Sequence, residues 1–365
     1  MEEHLLDIET FPVKRTDGMP AVIAGPCSAE TEQQVMEAAQ QIASIPQVSV
    51  FRAGVWKPRT RPGDFEGVGE KGLQWLRKVK HATGLSVMTE VAQPWHVEKA
   101  LNYNIDMLWI GARTVVNPFS VQELAEALKG VDIPVMVKNP VTPDLGLWVG
   151  ALERVNKAGI RRLAAIHRGF YLFERSPYRN APMWEIPIEL KRQYPELPLI
   201  CDPSHITGNT EYIAEISQKA LDLAMDGLMI ESHCHPDKAL TDVKQQITPQ
   251  RLEELLHSLK PKKESGNVDF QNKLQSLRSE IDKLDTELLD VMAKRMHLVN
   301  EIGEYKKDNN ITIFQLKRWN EIVSHRLQFG KGRGLNEDFL LNLLKLVHKE
   351  SIRLQNRILN NGKSE

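Results

Sequence analysis

The sequence has few cysteines, and their placement excludes a fold stapled by disulfides. Cys27, Cys201 and Cys234 make an odd count with no CxxC pair among 365 residues, whereas small secreted domains carry a dense and even set. The first residues, MEEHLLDIET, are acidic and lack the basic start and apolar core of a signal peptide. We therefore expect a cytoplasmic protein.

An excess of charge of one sign and long apolar runs are also missing. The 47 Lys and Arg residues balance 48 Asp and Glu residues, for a net charge of −1. Such a balance gives no basic footprint for nucleic acid and no polybasic membrane patch. No apolar run reaches the roughly 18 residues that a membrane-spanning helix requires. We expect no nucleic-acid partner and no membrane partner.

The larger part of the chain alternates short apolar runs with amphipathic stretches. Near-continuous apolar runs are typical of parallel strands that are buried on both faces. Eight such runs are found, at 21–25, 48–54, 85–91, 106–112, 134–139, 162–169, 197–204 and 226–232. Eight strands with intervening helices predict an α/β fold, a (β/α)8 TIM barrel, and the alternative is an open doubly wound sheet. Residues 1–19 carry no assignable structure.

The end of the chain has a different composition. Charge, proline and glycine at 259–268 predict a linker after a barrel domain at 1–258. In the remaining 269–365 no strand pattern is found, and apolar residues step by alternating fours and threes along one helix to about Lys307. Breaks at DNNIT and GKGRG predict two further helices, from about Phe314 and Asn336. We predict a small all-α domain of three helices.

Charged or metal-binding side chains stand at the ends of the predicted strands. In chain order they are Cys27, Arg52, Glu90, Arg113, Lys138, Arg168, His205 and Glu231. A barrel concentrates its chemistry at the C-terminal ends of its strands. Four cations there, with Lys57 and Arg59 in the loop after the second strand, would repel one another unless bound anions compensate. We expect small phosphorylated substrates, since arginine forks and lysine charges suit phosphate and carboxylate oxygens.

Four side chains near this predicted mouth are candidate metal ligands, namely Cys27, His205, Glu231 and Asp242. One thiol, one imidazole and two carboxylates suit a first-row divalent metal ion such as manganese, iron, cobalt or zinc, without choosing among them. The spacing is too dispersed for a structural zinc knuckle. Cys234 and His235 are rival ligands, whereas Cys201 lies inside an apolar strand and is interpreted as a core residue.

Seven ordered motifs carry a resemblance to a known family. They are GPCS (25–28), RAGVWKPRT (52–60), GART (111–114), VKNP (137–140), HRGF (167–170), DPSH (202–205) and IESHCHPDKALTDVKQQ (230–246). Over roughly residues 15–255 the chain resembles 3-deoxy-D-arabino-heptulosonate 7-phosphate (DAHP) synthase in its short, barrel-only subfamily. The resemblance implies condensation of phosphoenolpyruvate with erythrose 4-phosphate, which opens aromatic amino-acid biosynthesis.

The resemblance also implies roles for individual residues. The metal ligands would be Cys27, His205, Glu231 and Asp242. The phosphoenolpyruvate contacts would be Arg52, Lys57, Arg113, Lys138 and Arg168, with Lys57, Lys138 and His205 as the catalytic residues. Arg59 and Thr60 match positions that face the sugar phosphate. The alternative is the sister synthase that uses arabinose 5-phosphate, which typically has an Asn-containing loop where this chain reads KPRT.

One cation interrupts the apolar seam of the predicted long helix. Arg295 falls on that seam, where a charge is costly unless it is paired, and the structural alternative is an arginine that snorkels or pairs between helices. Lys306 lies about three turns further on and shares its face. Arg278 lies roughly 25 Å before Arg295 at about 1.5 Å per residue, so a second chain would have to bring it to the same ligand.

Residues about 268–360 resemble the all-helical chorismate mutases, through LRSEIDKLDTELLDVMAKRMHLVNEIGEYK (277–306) and HKESIRLQ (348–355). The resemblance implies rearrangement of chorismate to prephenate in an intertwined homodimer. The matching substrate-binding positions are Arg278, Arg295, Lys306, Arg318, Ser351 and Gln355, and Arg295, Lys306 and Gln355 would be catalytic. The family usually has acids where this chain has Gln315 and Trp319, which predicts weakened turnover.

Three hypotheses remain for the helical domain. It is a catalytic mutase, a non-catalytic sensor that binds chorismate or prephenate, or a dimerisation coiled coil. The resemblance to such fusions suggests that prephenate or chorismate held there inhibits the barrel.

Overall fold

The computed structural model describes residues 6–13, 19–58, 63–173, 176–262 and 267–360. The chain divides into two compact units, at 1–264 and 265–365. The predicted domain limits of 1–258 and 269–365, with a linker at 259–268, stay a prediction. Arg59 and Thr60 lie outside the described residues.

The first unit is a closed barrel of eight parallel strands in sequence order, which confirms the predicted fold. The strands are β1 (Ala21–Gly25), β2 (Val48–Arg52), β3 (Ser86–Val91), β4 (Met107–Ile110), β5 (Val135–Lys138), β6 (Leu163–His167), β7 (Leu199–Cys201) and β8 (Gly227–Glu231). Each of the eight predicted apolar runs contains one of them. The barrel closes where β1 pairs with β8, from Ala21 beside Gly227 to Gly25 beside Glu231.

Helices connect the strands and cover the barrel. They are α1 (Glu32–Ala43), α2 (Glu70–Thr83), α3 (Pro94–Asn102), α4 (Ala112–Val115), α5 (Pro118–Leu128), α6 (Leu145–Lys157), α7 (Glu185–Gln193), α8 (Pro203–Thr207), α9 (Ile213–Asp222) and α10 (Pro249–Ser258). Several begin at side chains that accept a backbone N–H of the first turn: Thr31 at α1, Asp144 at α6 and Thr248 at α10. Such caps satisfy amide groups that have no partner inside the helix.

Two apolar layers hold the barrel. Alternate strand residues point outward and pack under the helices, and the others fill the interior. The interior cluster comprises Ile23, Val50, Met88, Met107, Trp109, Met136, Ala164, Ile166, Ile200 and Met229. Phe11, from the segment that had no sequence assignment, joins this inner cluster and is 9% exposed. The N-terminal segment therefore contributes a residue to the barrel interior.

The second unit contains three helices, as predicted. They are α11 (Val268–Asp308), α12 (Leu316–Lys331) and α13 (Glu337–Leu359). Asn267 and Asn336 cap α11 and α13 by accepting the N–H groups of Phe270 and Phe339. Much of the apolar seam of α11 is exposed in the single chain, with Ile281 at 56% and Leu284 at 61%. Within the described part of the chain, no helix combines the length and apolar character needed to cross a membrane.

Candidate active sites

The C-terminal ends of the barrel strands surround a cavity of about 480 Å³. Five cationic side chains line it: Lys57, Arg113, Lys138, Arg168 and Arg179. His205, Asp242 and Glu90 line it as well. The barrel thus brings together side chains that are separated by up to 185 positions in the sequence, as the positions of the strand ends predicted.

Four potential metal ligands lie together at one side of this mouth. Suitable donor atoms of Cys27, His205, Glu231 and Asp242 are all within 4.8 Å of one another. Cys27 Sγ lies 3.2 Å from Asp242 Oδ2, and His205 Nε2 lies 3.6 Å from Glu231 Oε1. Both Cys27 and Glu231 are fully buried. The structure therefore brings together the four candidate ligands predicted from the sequence, although they lie in separate segments of the chain.

Local backbone geometry brings Cys27 to the mouth. Gly25 ends β1 with φ +149°, and a Cβ at that position would lie 2.1 Å from the carbonyl oxygen of Arg52. Only glycine permits this close approach of two neighbouring strands. Asp242 has φ +48°, a left-handed conformation that aspartate tolerates better than most residues. Both ends of the four-ligand cluster thus depend on uncommon backbone conformations.

Further side chains hold the two carboxylates of the cluster. Arg52 donates from Nη1 to Glu231 Oε1 at 2.9 Å, and Gln245 donates to the other oxygen at 2.7 Å. Arg179 donates to Asp242 Oδ1 at 2.8 Å and to the side-chain oxygen of Gln245 at 2.9 Å. These contacts hold both oxygens of Glu231 and one oxygen of Asp242, whose other oxygen, Oδ2, faces Cys27. Sequence reasoning missed Arg179 and Gln245, since neither stands at a strand end.

Asp202 is a third functional residue that sequence reasoning missed, although DPSH contains it. It is fully buried, its Oδ2 lies 2.8 Å from His205 Nδ1, and it accepts a hydrogen bond from Lys138 Nζ at 2.8 Å. Burial opposes its charge, but His205 and Lys138 hold its pKa well below the usual range. An anionic Asp202 orients the His205 ring so that Nε2 faces the cluster.

Burial and neighbouring charged groups shift the pKa values of the side chains in the four-ligand cluster. Burial, and next Glu231, raise the pKa of the Cys27 thiol to about 12. Burial also opposes the charge of Asp242, yet His205 and Arg179 hold the pKa of that carboxyl below its usual range. A bound divalent cation favours deprotonation of a thiol ligand, so it would reverse the effect of burial on Cys27.

The cations of the mouth lie close enough to affect one another. Burial, together with nearby Arg179 and Arg113, lowers the pKa of Arg168 to about 10 against the opposing effect of Asp202. Lys57 Nζ lies 3.1 Å from Cys27 Sγ and 3.2 Å from the carbonyl oxygen of Cys27. Cations held this closely, and partly buried, are typical of a site that binds an anion with several charges.

Arg52 lies apart from the cavity lining and the two rival ligands lie apart from the four-ligand cluster, whereas Cys201 lies where it was expected. Arg52 is 1% exposed and is not among the residues that line the cavity, and its guanidinium lies 4.8 Å from the ring centroid of Trp109. Cys234 and His235, the rival ligands, lie with Glu37 away from the four-ligand cluster. Cys201 is fully buried in the apolar core, as interpreted from the sequence.

The helical unit has its own polar cluster between α11 and α13. Arg295 Nη1 donates to Ser351 Oγ at 2.8 Å, so the guanidinium on the apolar seam has a neutral hydrogen-bond partner. Gln355 lies one turn after Ser351 and is 8% exposed, and among the described residues nothing is hydrogen-bonded to its Oε1. Lys306 Nζ donates to the carbonyl oxygen of Ile313 at 2.6 Å.

Arg278 and Arg318 are exposed in the single chain. Arg278 lies on the same continuous helix as Arg295, so the two are roughly 25 Å apart along the axis of α11. Trp319 stacks on His348, with ring centroids 4.0 Å apart and an angle of 20° between the rings. An aromatic pair thus occupies the position at which an acid was expected from the resemblance.

Comparison with known proteins agrees with both halves of the chain. The sequence model of the DAHP synthetase I family matches residues 7–267, and that of chorismate mutase type II matches residues 277–356. A phospho-2-dehydro-3-deoxyheptonate aldolase of Thermotoga maritima is 31% identical over 253 residues, which cover 69% of this chain and 72% of that protein. A 2-dehydro-3-deoxyphosphooctonate aldolase of Wolinella succinogenes is 26% identical over 261 residues, covering 65% of this chain and 97% of that protein.

Solved structures give the same result for the barrel. The crystal structure of a phospho-2-dehydro-3-deoxyheptonate aldolase (DAHP synthase) from Thermotoga maritima superposes with a TM-score of 0.60 at 30% identity, covering 67% of this chain and 69% of that chain. A truncated form of the Thermotoga maritima synthase gives a TM-score of 0.58 at 28% identity, with 68% and 88% covered. The motifs, the barrel and these matches together confirm the resemblance: the chain belongs to the DAHP synthetase I family, and its helical unit is a chorismate mutase type II domain fused to the barrel.

Proposed function

We propose that the barrel condenses phosphoenolpyruvate with erythrose 4-phosphate to give DAHP and phosphate, and that the helical unit rearranges chorismate to prephenate. The observation that carries the first half is that five cations line one cavity together with His205 and Asp242, two members of the four-ligand cluster. The cations supply the charge that two phosphorylated substrates need, and the cluster supplies a place for a metal ion.

The four-ligand cluster fits a divalent manganese, iron, cobalt or zinc ion. Its members are one thiol, one imidazole and two carboxylates, which lie within 4.8 Å of one another and are held by Arg52, Gln245 and Arg179. Without a cation, the buried carboxylates would oppose ionisation of the thiol. Such an ion supplies Lewis-acid polarisation of the aldehyde oxygen of the sugar.

The chain's own residues bind and orient the substrates in this proposal. Arg113, Lys138 and Arg168 hold the phosphate and carboxylate oxygens of phosphoenolpyruvate, and Lys57 adds a charge beside Cys27. Because Asp202 fixes Lys138 before the substrate arrives, that lysine can stabilise the charge that shifts toward the leaving phosphate. The contacts of Arg52 support a role in holding Glu231, and its contact with phosphoenolpyruvate stays a prediction.

The choice of erythrose 4-phosphate rests on KPRT (57–60), of which Arg59 and Thr60 lie outside the described residues. The Thermotoga maritima relative is named for the heptonate product, and that of Wolinella succinogenes for the octonate product. Assaying phosphate release with erythrose 4-phosphate and with arabinose 5-phosphate, each with and without chelator, decides the reaction. Activity only with arabinose 5-phosphate, or full activity after complete metal removal, would contradict the proposal.

Metal dependence has a matched control in the chain's own cysteines. Cys27→Ala removes a ligand of the cluster, whereas Cys201→Ala changes a cysteine in the apolar core. We expect loss of synthase activity and of the bound metal in the first variant and retention of both in the second. Mutase activity serves as the internal reference, because Arg295 and Ser351 lie in the other unit.

The mutase half is supported by the Arg295, Ser351 and Gln355 cluster and by nearby Lys306. A pericyclic rearrangement needs no nucleophile, only cations that bind two carboxylates and donors toward the breaking ether bond. Arg295→Ala should therefore abolish chorismate consumption, while Arg353→Ala, which changes an exposed cation on α13, should not. Equal chorismate turnover in both variants would contradict the role of Arg295, and no turnover in the native protein would favour the sensor hypothesis.

Feedback regulation is the final part of the proposal. Prephenate bound in the helical unit inhibits the barrel, through a coupling on the usual scale of about 1–3 kcal/mol, or roughly a 5- to 150-fold change in affinity. Prephenate should inhibit the synthase activity of the full chain, and Arg295→Ala should relieve that inhibition. Equal inhibition of the two proteins would place the inhibitor in the barrel instead.

A further inference from the structure

A second group of metal-binding side chains lies outside the four-ligand cluster. Glu37 is on α1, and Cys234 and His235 follow the end of β8 by three and four residues. One donor atom from each lies within 4.8 Å of the others. Neither proposed activity uses any of these three residues.

The geometry of this group resembles an open coordination site. His235 Nε2 lies 3.2 Å from Glu37 Oε1, a separation close to that between two ligands of one tetrahedral ion. The Cys234 side chain is buried, and its Sγ lies 3.7 Å from the backbone oxygen of Gln34. The side chains of His235 and Glu37 are 53% and 34% exposed, so a hydrated cation can reach them and they can adjust around it.

The wall behind the group contains buried polar atoms. His233 is 2% exposed and accepts the backbone N–H of His235 at Nδ1, at 2.9 Å, which fixes the backbone that carries the imidazole. Among the described residues, neither His233 Nε2 nor the side-chain nitrogen of Gln34 has a hydrogen-bond partner, although Glu30 Oε2 lies 3.9 Å from His233 Nε2. Buried polar groups usually have hydrogen-bond partners, so the residues packed behind Glu37, Cys234 and His235 differ from an ordinary apolar core.

We propose that Glu37, Cys234 and His235 bind a second divalent cation, of the zinc class, with water completing the coordination. A thiolate, an imidazole and a carboxylate together are a ligand set that zinc prefers, and three protein ligands leave the fourth position open. Four-coordinate zinc is tetrahedral, and side-chain rotation of His235 and Glu37 can bring three donors to that geometry. The inference is independent of the proposed activities.

Binding changes one proton and no electrons. Burial, and next Glu37, raise the pKa of the Cys234 thiol, so the thiol is protonated before the cation arrives. On binding, the S–H bond breaks, the metal–sulfur bond forms and the proton goes to solvent. The cation would tie α1 to the segment that runs from Ser232 to Asp242. This segment carries a ligand of the four-ligand cluster at its far end.

Cobalt(II) is the probe that distinguishes the two sites, because a thiolate ligand gives a charge-transfer absorption. In full-length Cys27→Ser protein the thiol of the four-ligand cluster is gone, so a remaining thiolate–cobalt band must come from elsewhere. We expect that band at one equivalent of cobalt, and we expect Cys27→Ser/Cys234→Ser to lose it. Cys27→Ser/Cys201→Ser is the matched control and should keep it, since Cys201 is fully buried in the core.

A second variant protects the test against a folding defect in Cys27→Ser. In the otherwise native protein, His235→Ala should lower the thiolate–cobalt absorption per chain by about half, with mutase activity unchanged. Zinc counted by mass spectrometry should fall from two per chain to one. Absence of a band in folded Cys27→Ser protein, or equal metal counts in the native and His235→Ala proteins, would overturn the proposal and leave only the contact between His235 and Glu37.

Discussion

At the scale of single residues, the barrel site depends on groups that do not face the substrate. Asp202 is the clearest case, since it contacts both Lys138 and His205 and is fully buried. Partners of this kind fix the orientation and the charge of the groups that do the chemistry. The same holds for Arg179, which holds Asp242 and Gln245 together.

Asp202→Asn tests that role. The change keeps the size of the side chain but removes the charge that stabilises Lys138 and orients His205, so we expect synthase kcat/KM to fall on the order of 10–100-fold. Metal affinity should fall as well, whereas chorismate turnover should not change. Asp132→Asn is the control, because Asp132 is 94% exposed and precedes β5 at the other end of the barrel. Equal effects of the two substitutions would contradict the role.

His96 gives a pH prediction at the same scale. It is 5% exposed and stacks on Trp56 with ring centroids 3.9 Å apart, and burial lowers its pKa to about 4. In the unfolded chain its pKa is about 6.5, so between these values the unfolded state binds more protons. His96 therefore stabilises the fold less as pH falls from about 6.5 toward 4, by up to about 1.4 kcal/mol per pH unit.

The measurement is urea unfolding of the barrel at pH 7 and at pH 5. His96→Phe should reduce the loss of stability between the two pH values, although it also removes the hydrogen bond that His96 accepts from the Ala92 N–H. His81→Phe, at an exposed position on α2, should leave the pH dependence as it is. An unaltered slope in His96→Phe would show that the ring is not kept neutral by burial.

At the scale of elements, the mutase site depends on how closely α11 and α13 approach. Gly303 makes that approach possible, since a Cβ there would lie 2.8 Å from Ile358 Cδ1 and 3.3 Å from Gln355 Cγ. The absence of a side chain lets Gln355 pack against the helix that carries Arg295 and Lys306. The same helix pair explains how a single arginine on an apolar seam is accommodated, because Ser351 on α13 accepts its hydrogen bond.

Gly303→Val should separate the two helices. Overpacking of this kind typically costs about 1–3 kcal/mol, and moving Gln355 should raise the Michaelis constant for chorismate more than it affects the synthase. Gly332→Ala is the matched glycine substitution in the same unit, since a Cβ there meets nothing closer than 3.6 Å. A chorismate Michaelis constant equal in both variants would show that the close approach does not set the site.

At the scale of the whole molecule, the exposed seam of α11 predicts a second chain. Ile281, Leu284 and Leu288 are 56%, 61% and 57% exposed in the single chain, and a seam of this size is an interaction surface. Arg278 lies at the far end of the same helix from Lys306. Both observations agree with a dimer in which each mutase site takes one arginine from the other chain.

Mixed dimers test this arrangement. Arg278→Ala and Arg295→Ala homodimers should both be nearly inactive as mutases, because every site then lacks one cation. Co-expressed chains that carry one substitution each should recover one intact site of the two, and therefore about half of the native mutase activity per mixed dimer. No recovery in purified mixed dimers would show that the site is built within one chain.

The sequence by itself determined what depends on local pattern. Apolar runs and their amphipathic connections are properties of a few neighbouring residues, so the number and order of the strands and the three final helices could be predicted. The ends of parallel strands in a barrel share one face, which is why Cys27, His205 and Glu231 could be nominated together. Asp242, which lies beyond the last strand, was added for its ligand chemistry. The periodic apolar seam predicted one continuous helix for α11, so the distance along its axis between Arg278 and Arg295 could also be predicted.

The tertiary structure alone decided which side chains meet across the barrel. Arg52 and Glu231 are 179 residues apart, and their contact follows from closure of the sheet between β1 and β8. The roles of Asp202 and Phe11 could not be predicted from the sequence, because a single residue that packs against a distant segment produces no periodic pattern around it. From the sequence, Cys234 and His235 were alternative candidates for the metal ligands at the barrel mouth. The structure places them beside Glu37 on α1 instead. Side-chain direction in an irregular loop depends on the elements packed around it, so the sequence pattern could not decide between the candidates.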